Sequence, residues 1–169
     1  LYWIPANIPA LGLGRTVYTT DMPMHRLSRF ASSLVLRLFS QIDAITTQRV
    51  QTAAQVRLAL TGNHALTPVE PLAGSQPVFL RQPCLAAPGV DRTALITALN
   101  RAGIGATGSF PQALGDLPEI AGHITVEADA MNGARTVASR IVTLPTLAYM
   151  DTGDLQRISD TVAAAARTA

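Results

Sequence analysis

The sequence contains no lysine, although it has 13 basic residues, all of them arginine. A chain without lysine cannot supply the side-chain amine of a Schiff base, and it cannot contain a Walker-type phosphate loop. The single cysteine, Cys84, excludes an internal disulfide and a multi-cysteine metal site, and is typical of a reducing, cytoplasmic compartment. His25, His64 and His123 lie far apart in sequence, so we expect no zinc site.

Charge is also scarce. Charged residues make up 14% of the 169 residues and hydrophobic residues 48%, which excludes a globally disordered chain. The net charge of +2 is too small to indicate a nucleic-acid partner. The most apolar helical stretch, 32–39, is short and contains Arg37, so we expect no membrane span. Because the chain begins with Leu1 rather than methionine, we expect it to be a fragment of a longer polypeptide.

Proline, glycine and apolar periodicity divide the chain into four predicted parts. Residues 1–23 are interrupted by proline and glycine and are predicted to be an irregular extension. Residues 24–61 are predicted to form a helical connection, residues 62–76 a linker, and residues 77–169 a small α+β C-terminal domain. The helical connection has two apolar stripes, at Leu27, Phe30, Ala31, Leu34 and Leu38, and at Val50, Ala54 and Leu58.

The part after residue 76 alternates strand-like and helix-like segments. We predict, in order, a strand over 77–84, a helix from Asp91 to Gly103, a strand over 104–110, a helix over 130–140, a strand over 141–144, and a helix beginning near Asp151. The predicted fold class is therefore α+β, in which an N-terminal helical segment precedes a small sheet covered by helices.

Several local motifs have a structural interpretation that outweighs a chemical one. Residues 103–108 match the Gly-x-Gly-x-x-Gly pattern of dinucleotide sites, but the predicted helix precedes the glycines instead of following them. We therefore interpret them as a helix cap followed by a turn. Asp151 and Asp154 are expected to cap a helix, and Cys84 to be a buried small hydrophobe.

Three segments carry a family pattern in the right order. They are Met24-His25-Arg26-Leu27 with Gln41-Ile42-Asp43, Gly103-Ile104 with Ser109-Phe110-Pro111, and Ala134-Arg135 with Val142-Thr143-Leu144-Pro145. Together they resemble the region that follows the cofactor lysine in fold-type I, pyridoxal-phosphate-dependent sugar aminotransferases of the DegT/DnrJ/StrS family. The sequence departs from the family pattern at Met24 (family Asn), Ser109 (family His) and Arg135 (family Glu).

The resemblance implies the small domain of a fold-type I transferase. It implies the C-terminal part of an enzyme that uses pyridoxal phosphate to move an amino group from a small-molecule donor to a carbonyl acceptor, such as a keto-sugar, and that works as a homodimer. The family's lysine lies upstream, so this chain alone should be inactive. By the same resemblance, Arg26 is the candidate cofactor-binding residue, and Phe110 and Tyr149 are the candidate substrate-binding residues.

A second hypothesis is a non-catalytic protein-interaction module. Residues 1–60 contain six arginines against Asp21 and Asp43, whereas the remainder has seven arginines against nine acids. This basic excess lies mostly on the predicted helices, where it is typical of a solvated or partner-facing surface. Nucleic-acid binding by the same helices ranks third, because aromatic residues do not alternate with the arginines.

Overall fold

The structure, a computed structural model, describes residues 24–110, 112–125 and 128–166. The predicted irregular extension over 1–23, and Pro111 of the family pattern, lie outside the described residues. The described residues form six α-helices and three strands. Their order is α1 (Arg29–Phe39), α2 (Ile42–Ala59), β1 (Leu66–Pro68), β2 (Arg81–Ala86), α3 (Arg92–Arg101), α4 (Pro118–Ala121), α5 (Asn132–Arg140), β3 (Ile141–Pro145) and α6 (Thr152–Ala166). Two 3₁₀ turns, Leu114–Asp116 and Ala128–Met131, precede α4 and α5.

The three strands form one antiparallel sheet in the order β1-β2-β3. Successive side chains of a strand point to opposite faces, so the pairing of Cys84 with Val142 gives the sheet two different faces. One face carries fully or nearly fully buried side chains: Gln82, Cys84, Ala86, Val142 and Leu144. The other face carries Arg81, Pro83, Leu85, Ile141, Thr143 and Pro145. The predicted α+β class is confirmed.

The hydrophobic core lies between the buried face of the sheet and helices α2, α3 and α6. Each helix contributes apolar side chains to this cluster: Val56 from α2, Leu95 and Leu99 from α3, and Ile158 and Val162 from α6. The face predicted for the last helix is thus confirmed. Gln82 is fully buried, and its amide is satisfied because it donates to the carbonyls of Val69 and Pro83 and accepts from Arg57 Nη1.

Side-chain and backbone caps define the ends of α3 and the start of α6. The Asp91 carboxylate accepts from the backbone N–H groups of Thr93 and Ala94, as predicted. At the other end, Ile104 N–H donates to the Leu99 carbonyl and Gly103 N–H to the Asn100 carbonyl, which is a Schellman cap with Gly103 at φ 83°. Asp151 and Asp154 cap α6 reciprocally, because each carboxylate accepts from the other's backbone N–H.

The predicted linker over 62–76 contains a strand. Leu66–Pro68 forms β1 and pairs with β2, and Leu66 is fully buried in the core. The Thr67-Pro68 dipeptide argues against a strand in the sequence, because proline has no backbone N–H to donate to a neighbouring strand. Here β1 is an edge strand, where a proline is tolerated. The four-part division of the chain otherwise remains a prediction.

Two predicted strands differ in extent from those in the structure. The first begins at Arg81 rather than residue 77, because Phe79 adopts the left-handed conformation at φ 42° and interrupts the extended backbone. The strand predicted over 104–110 is wrong, since only Thr107 forms a bridge, to Thr143. Positive φ values at Gly105 (59°) and Ser109 (52°) prevent this segment from continuing as a ladder.

The helical connection exposes most of its apolar stripes. No residue of α1 is buried, and Phe30 is 80% exposed. In α2 the stripe containing Leu58 also faces outward, whereas Thr52, Ala53 and Val56 are buried. Thr52 tolerates burial because its hydroxyl donates to the Gln48 carbonyl. Among the described residues, no helix combines the length and hydrophobicity needed to cross a bilayer.

Candidate functional site

The second face of the sheet carries a cluster of hydroxyl groups around Thr143. Thr143 Oγ1 lies 2.9 Å from Thr107 Oγ1 and 3.0 Å from Ser109 Oγ. The backbones of Thr107 and Thr143 also exchange hydrogen bonds, at 2.7 and 3.1 Å. The segment 104–110 is therefore fixed against β3 by both backbone and side-chain contacts, although it is not a regular strand.

Arg81, on the neighbouring strand, completes this cluster. Its Nε donates to Thr143 Oγ1 at 2.8 Å, and its Nη2 donates to the carbonyls of Gly105 and Thr143 at 2.6 and 2.9 Å. The side chain is half-buried, and burial lowers the pKa of the Arg81 guanidinium. Arg81 thus connects β2, β3 and the segment that contains Ser109.

A second arginine fixes the other side of the same segment. A Cβ added at Gly108 would lie 3.2 Å from the guanidinium carbon and both terminal nitrogens of Arg92. Arg92 Nη1 also donates to the Ala138 carbonyl near the end of α5. The segment from Thr107 to Ser109 therefore lies between Arg92 and Thr143, which explains why a glycine occupies position 108.

An apolar cavity of about 490 Å³ opens beside Phe110. Its walls come from α5 and from the segment that leads to α4, and they include Leu114, Leu117, Val137 and Ile141. The Phe110 ring is 62% exposed at this cavity. Such a cavity is suited to an apolar part of a ligand, because these side chains offer no hydrogen-bonding groups.

A second cavity, of about 360 Å³, lies near the start of α6. Its lining includes Arg81, Gly105, Tyr149 and Asp154. Tyr149 is 79% exposed, and its hydroxyl forms no hydrogen bond with the described residues. Polar and apolar groups line this cavity in similar measure, in contrast to the one beside Phe110.

The structure does not bring the predicted site residues together. Phe110 and Tyr149 line different cavities, and Arg26, which is exposed just before α1, lines neither of them. Sequence reasoning missed Arg81 and Thr143. Their only signal is the alternation of β2 and β3, which places both residues on the same sheet face once the register is known.

Cys84 and the glycine-rich segment after α3 have the structural roles that we expected. Cys84 is fully buried, and burial raises the pKa of its thiol to about 12, so it is not an activated nucleophile. Nowhere in 24–110, 112–125 or 128–166 do three or more His, Cys, Asp or Glu side chains form a potential metal site. The Gly103–Gly108 pattern is a helix cap and turn, with Ser109 and Phe110 rather than a helix after it.

The described residues do not fit pyridoxal phosphate as a complete site. The cofactor is held covalently by a lysine amine, and the sequence has no lysine. Arg26, the predicted cofactor contact, lines neither of the two cavities described above. No chemical step through this cofactor can be derived from this chain alone.

A small antiparallel sheet covered by helices, preceded by a helical connection, is the fold of part of several solved aminotransferases. The structure matches DesV of S. venezuelae, solved with a ketimine intermediate, at a TM-score of 0.72 and 19% identity, over 89% of this chain and 40% of that one. It matches 3-amino-5-hydroxybenzoic acid synthase at 0.72 and 18% identity, over 92% and 44% of the two chains. For Helicobacter pylori PseC, an aminotransferase involved in the biosynthesis of pseudoaminic acid, the TM-score is 0.71 at 17% identity, over 93% and 43%.

The chain belongs to the DegT/DnrJ/EryC1/StrS aminotransferase family, because the model of that family matches residues 15–163. This match confirms the resemblance seen in the sequence. No curated protein sequence matches the chain significantly. The chain spans 40% of the DesV chain and 44% of the synthase chain, well under the full length of either.

Proposed function

We propose that this chain is the C-terminal part of a pyridoxal-phosphate-dependent aminotransferase. The observation that carries the proposal is the family match over residues 15–163 in a chain that has no lysine. The family chemistry requires a lysine, so the reactive amine must come from another part of the polypeptide. The whole enzyme would transfer an amino group to a carbonyl acceptor of the keto-sugar class, and this part would supply walls of the substrate pocket.

The exposed apolar face of α1 supports this proposal. Its large side chains remain open to solvent, with Phe30 at 80%, Leu36 at 73% and Phe39 at 68% exposure. An apolar patch of this kind is expected to be covered in a stable protein. We propose that the lysine-bearing domain covers it, in a homodimeric, cytoplasmic enzyme.

The candidate contacts belong to the same proposal. Phe110 would place its exposed ring against the substrate, Tyr149 would offer a phenol from the cavity near the start of α6, and Arg26 would pair with the cofactor phosphate. Each contact requires the lysine-bearing domain to complete the site, because no cavity among those described joins the three residues.

The test uses the natural polypeptide that contains this chain, supplied with pyridoxal phosphate, an amino-acid donor and a keto-sugar acceptor. We expect formation of the amino-sugar, and we expect Phe110→Ala to raise KM for the acceptor. A control is Leu72→Ala, which removes another exposed apolar side chain outside α1 that does not line the cavity. An unchanged KM for the acceptor in Phe110→Ala would contradict the role of Phe110. Absence of amino transfer by the unmodified natural polypeptide would contradict the proposal itself.

The protein-interaction module remains the alternative, and the same α1 face favours it. Arg29 and Arg37 accompany the exposed apolar side chains of that helix. If the natural polypeptide has no lysine-bearing domain and binds no pyridoxal phosphate, α1 would instead dock a separate protein. Size-exclusion chromatography with light scattering on the natural polypeptide would test the proposed homodimer.

A further inference from the structure

The guanidinium of Arg81 has hydrogen-bonding capacity that the described residues do not use. A guanidinium carries five N–H donors. Arg81 uses three of them, one from Nε to Thr143 Oγ1 and two from Nη2 to the carbonyls of Gly105 and Thr143. Its Nη1 donates to none of the described residues. Two donors therefore remain available on one nitrogen.

The charge of Arg81 has no counter-ion among the described residues. The ion pairs found there involve Arg57 with Glu70, Arg135 with Asp116, and Arg157 with Asp154. All the acceptors around Arg81 are neutral hydroxyl or carbonyl oxygens. A half-buried cation is costly without an anion, and burial lowers the pKa of Arg81 with no opposing carboxylate to raise it.

The cavity beside Arg81 has the size and composition of a small-molecule site. It measures about 360 Å³, and it includes the Tyr149 side chain, whose hydroxyl is not used by the described residues. Asp154 also lines the cavity, but its carboxylate is already engaged by Arg157 and by the backbone N–H of Asp151. The lining side chains therefore include two donor groups that the described residues leave unused, Arg81 Nη1 and the Tyr149 hydroxyl.

We propose that this cavity binds the carboxylate of a small molecule, held by Arg81 Nη1 and the Tyr149 hydroxyl. A carboxylate presents two oxygens and one negative charge, which match these two donors and the single uncompensated cation. A phosphate presents more oxygens and a larger charge, which would face the nearby Asp154 carboxylate. The residues named for this site all belong to this chain, so the proposal is argued and tested separately from the aminotransferase activity.

The experiment titrates the chain with sodium acetate at constant ionic strength, and in parallel with acetamide, which has nearly the same shape without the charge. Binding is followed by calorimetry and by two-dimensional NMR of the backbone amides. We expect saturable acetate binding that acetamide does not reproduce, and we expect Arg81→Gln to weaken it on the order of tenfold or more. The matched control, Arg101→Gln, removes an exposed arginine that does not line the cavity and should leave the affinity unchanged.

Absence of saturable acetate binding would overturn the proposal, as would equal binding of acetamide or equal losses in both arginine variants. If Arg81→Gln does not fold, Tyr149→Phe provides a second variant at an exposed position, and we expect it to weaken acetate binding severalfold. The unmodified chain gives an independent readout, because acetate should shift the amide signals of Gly103, Gly105 and Tyr149. Amide shifts confined to other parts of the chain would also overturn the proposed carboxylate site.

Discussion

Arg81 and Thr143 are 62 residues apart in sequence, yet Arg81 Nε donates to Thr143 Oγ1 at 2.8 Å. This contact exists because β2 and β3 are antiparallel neighbours that place both residues on one sheet face. Ser109 Oγ lies 3.0 Å from the same hydroxyl oxygen. The contact thus connects the sheet to the segment that leads to Phe110.

Removal of the Thr143 hydroxyl should destabilise the fold. In Thr143→Val, Arg81 Nε loses its acceptor and two further hydroxyls lose a neighbour, in a region where Thr143 is only 5% exposed. We expect the free energy of unfolding to fall by about 1–3 kcal/mol, measured by urea denaturation. Thr136→Val is the control, because that exposed hydroxyl bonds only within α5, to the Asn132 carbonyl. Equal losses of unfolding free energy in the two variants would contradict a stabilising role of the hydroxyl cluster.

Gly108 should not tolerate a side chain. Gly108→Ala places a methyl group 3.2 Å from the Arg92 guanidinium, which is itself held by the Ala138 carbonyl. We expect a loss of about 1 kcal/mol, because Arg92 must move or break that hydrogen bond. Gly133→Ala, in α5, meets nothing within 4 Å and should be neutral or slightly stabilising. Thermal unfolding of both variants checks this, and a neutral Gly108→Ala would contradict the close packing.

Cys84 should make stability fall with pH in the alkaline range. Its pKa is raised from 9.0 to about 12 in the folded chain, because burial disfavours the thiolate. The folded state then holds a proton that the unfolded state releases. The protonated Cys84 thiol therefore contributes its full amount to the free energy of unfolding below pH 9. That contribution is lost as the pH rises toward 12, at roughly 1 kcal/mol per pH unit.

Urea denaturation at several alkaline pH values measures this slope. Cys84→Ala is the comparison, since it has no thiol to titrate, and its slope should be smaller. Native Cys84 should also resist thiol-labelling reagents until the chain unfolds. Identical slopes in the two proteins, together with rapid labelling of the native chain, would contradict this prediction.

The Asp116 carboxyl should titrate at an unusually low pH. The hydrogen bond from the Arg135 side chain, at 2.7 Å from Nη2, lowers the pKa of Asp116. Stability from this pair is present above the ordinary aspartate pKa and is lost as the pH falls through the lowered value. Carboxyl-carbon NMR titration should show the low pKa, and Arg135→Gln should return it toward normal. An unchanged Asp116 titration in Arg135→Gln would assign the shift to another cause.

Local signals predicted the helices best. Asp91 and Gly103 mark the two ends of α3 because their caps involve residues only a few positions apart. The face of α6 followed directly from the spacing of Ile158 and Val162. By contrast, β1 is three residues long and contains Pro68, so neither its length nor its composition indicates a strand.

The candidate site was less accessible to sequence reasoning. The Arg81–Thr143 contact depends on strand register, which no local pattern encodes, and the left-handed conformation of Ser109 could not be read from a serine. The apolar stripe of α1 was correctly predicted as helical, but its periodicity does not say what covers it. The roles of Arg26, Phe110 and Tyr149 remain predictions, because no contact among the described residues tests them.

The most direct test asks where pyridoxal phosphate attaches. The natural polypeptide is incubated with the cofactor and reduced with borohydride, and its peptides are mapped by mass spectrometry. We predict one cofactor-modified lysine outside these 169 residues. When this chain is treated alone, we predict no covalent modification of its side chains. A cofactor adduct on a side chain of this chain, or none anywhere in the natural polypeptide, would contradict the account.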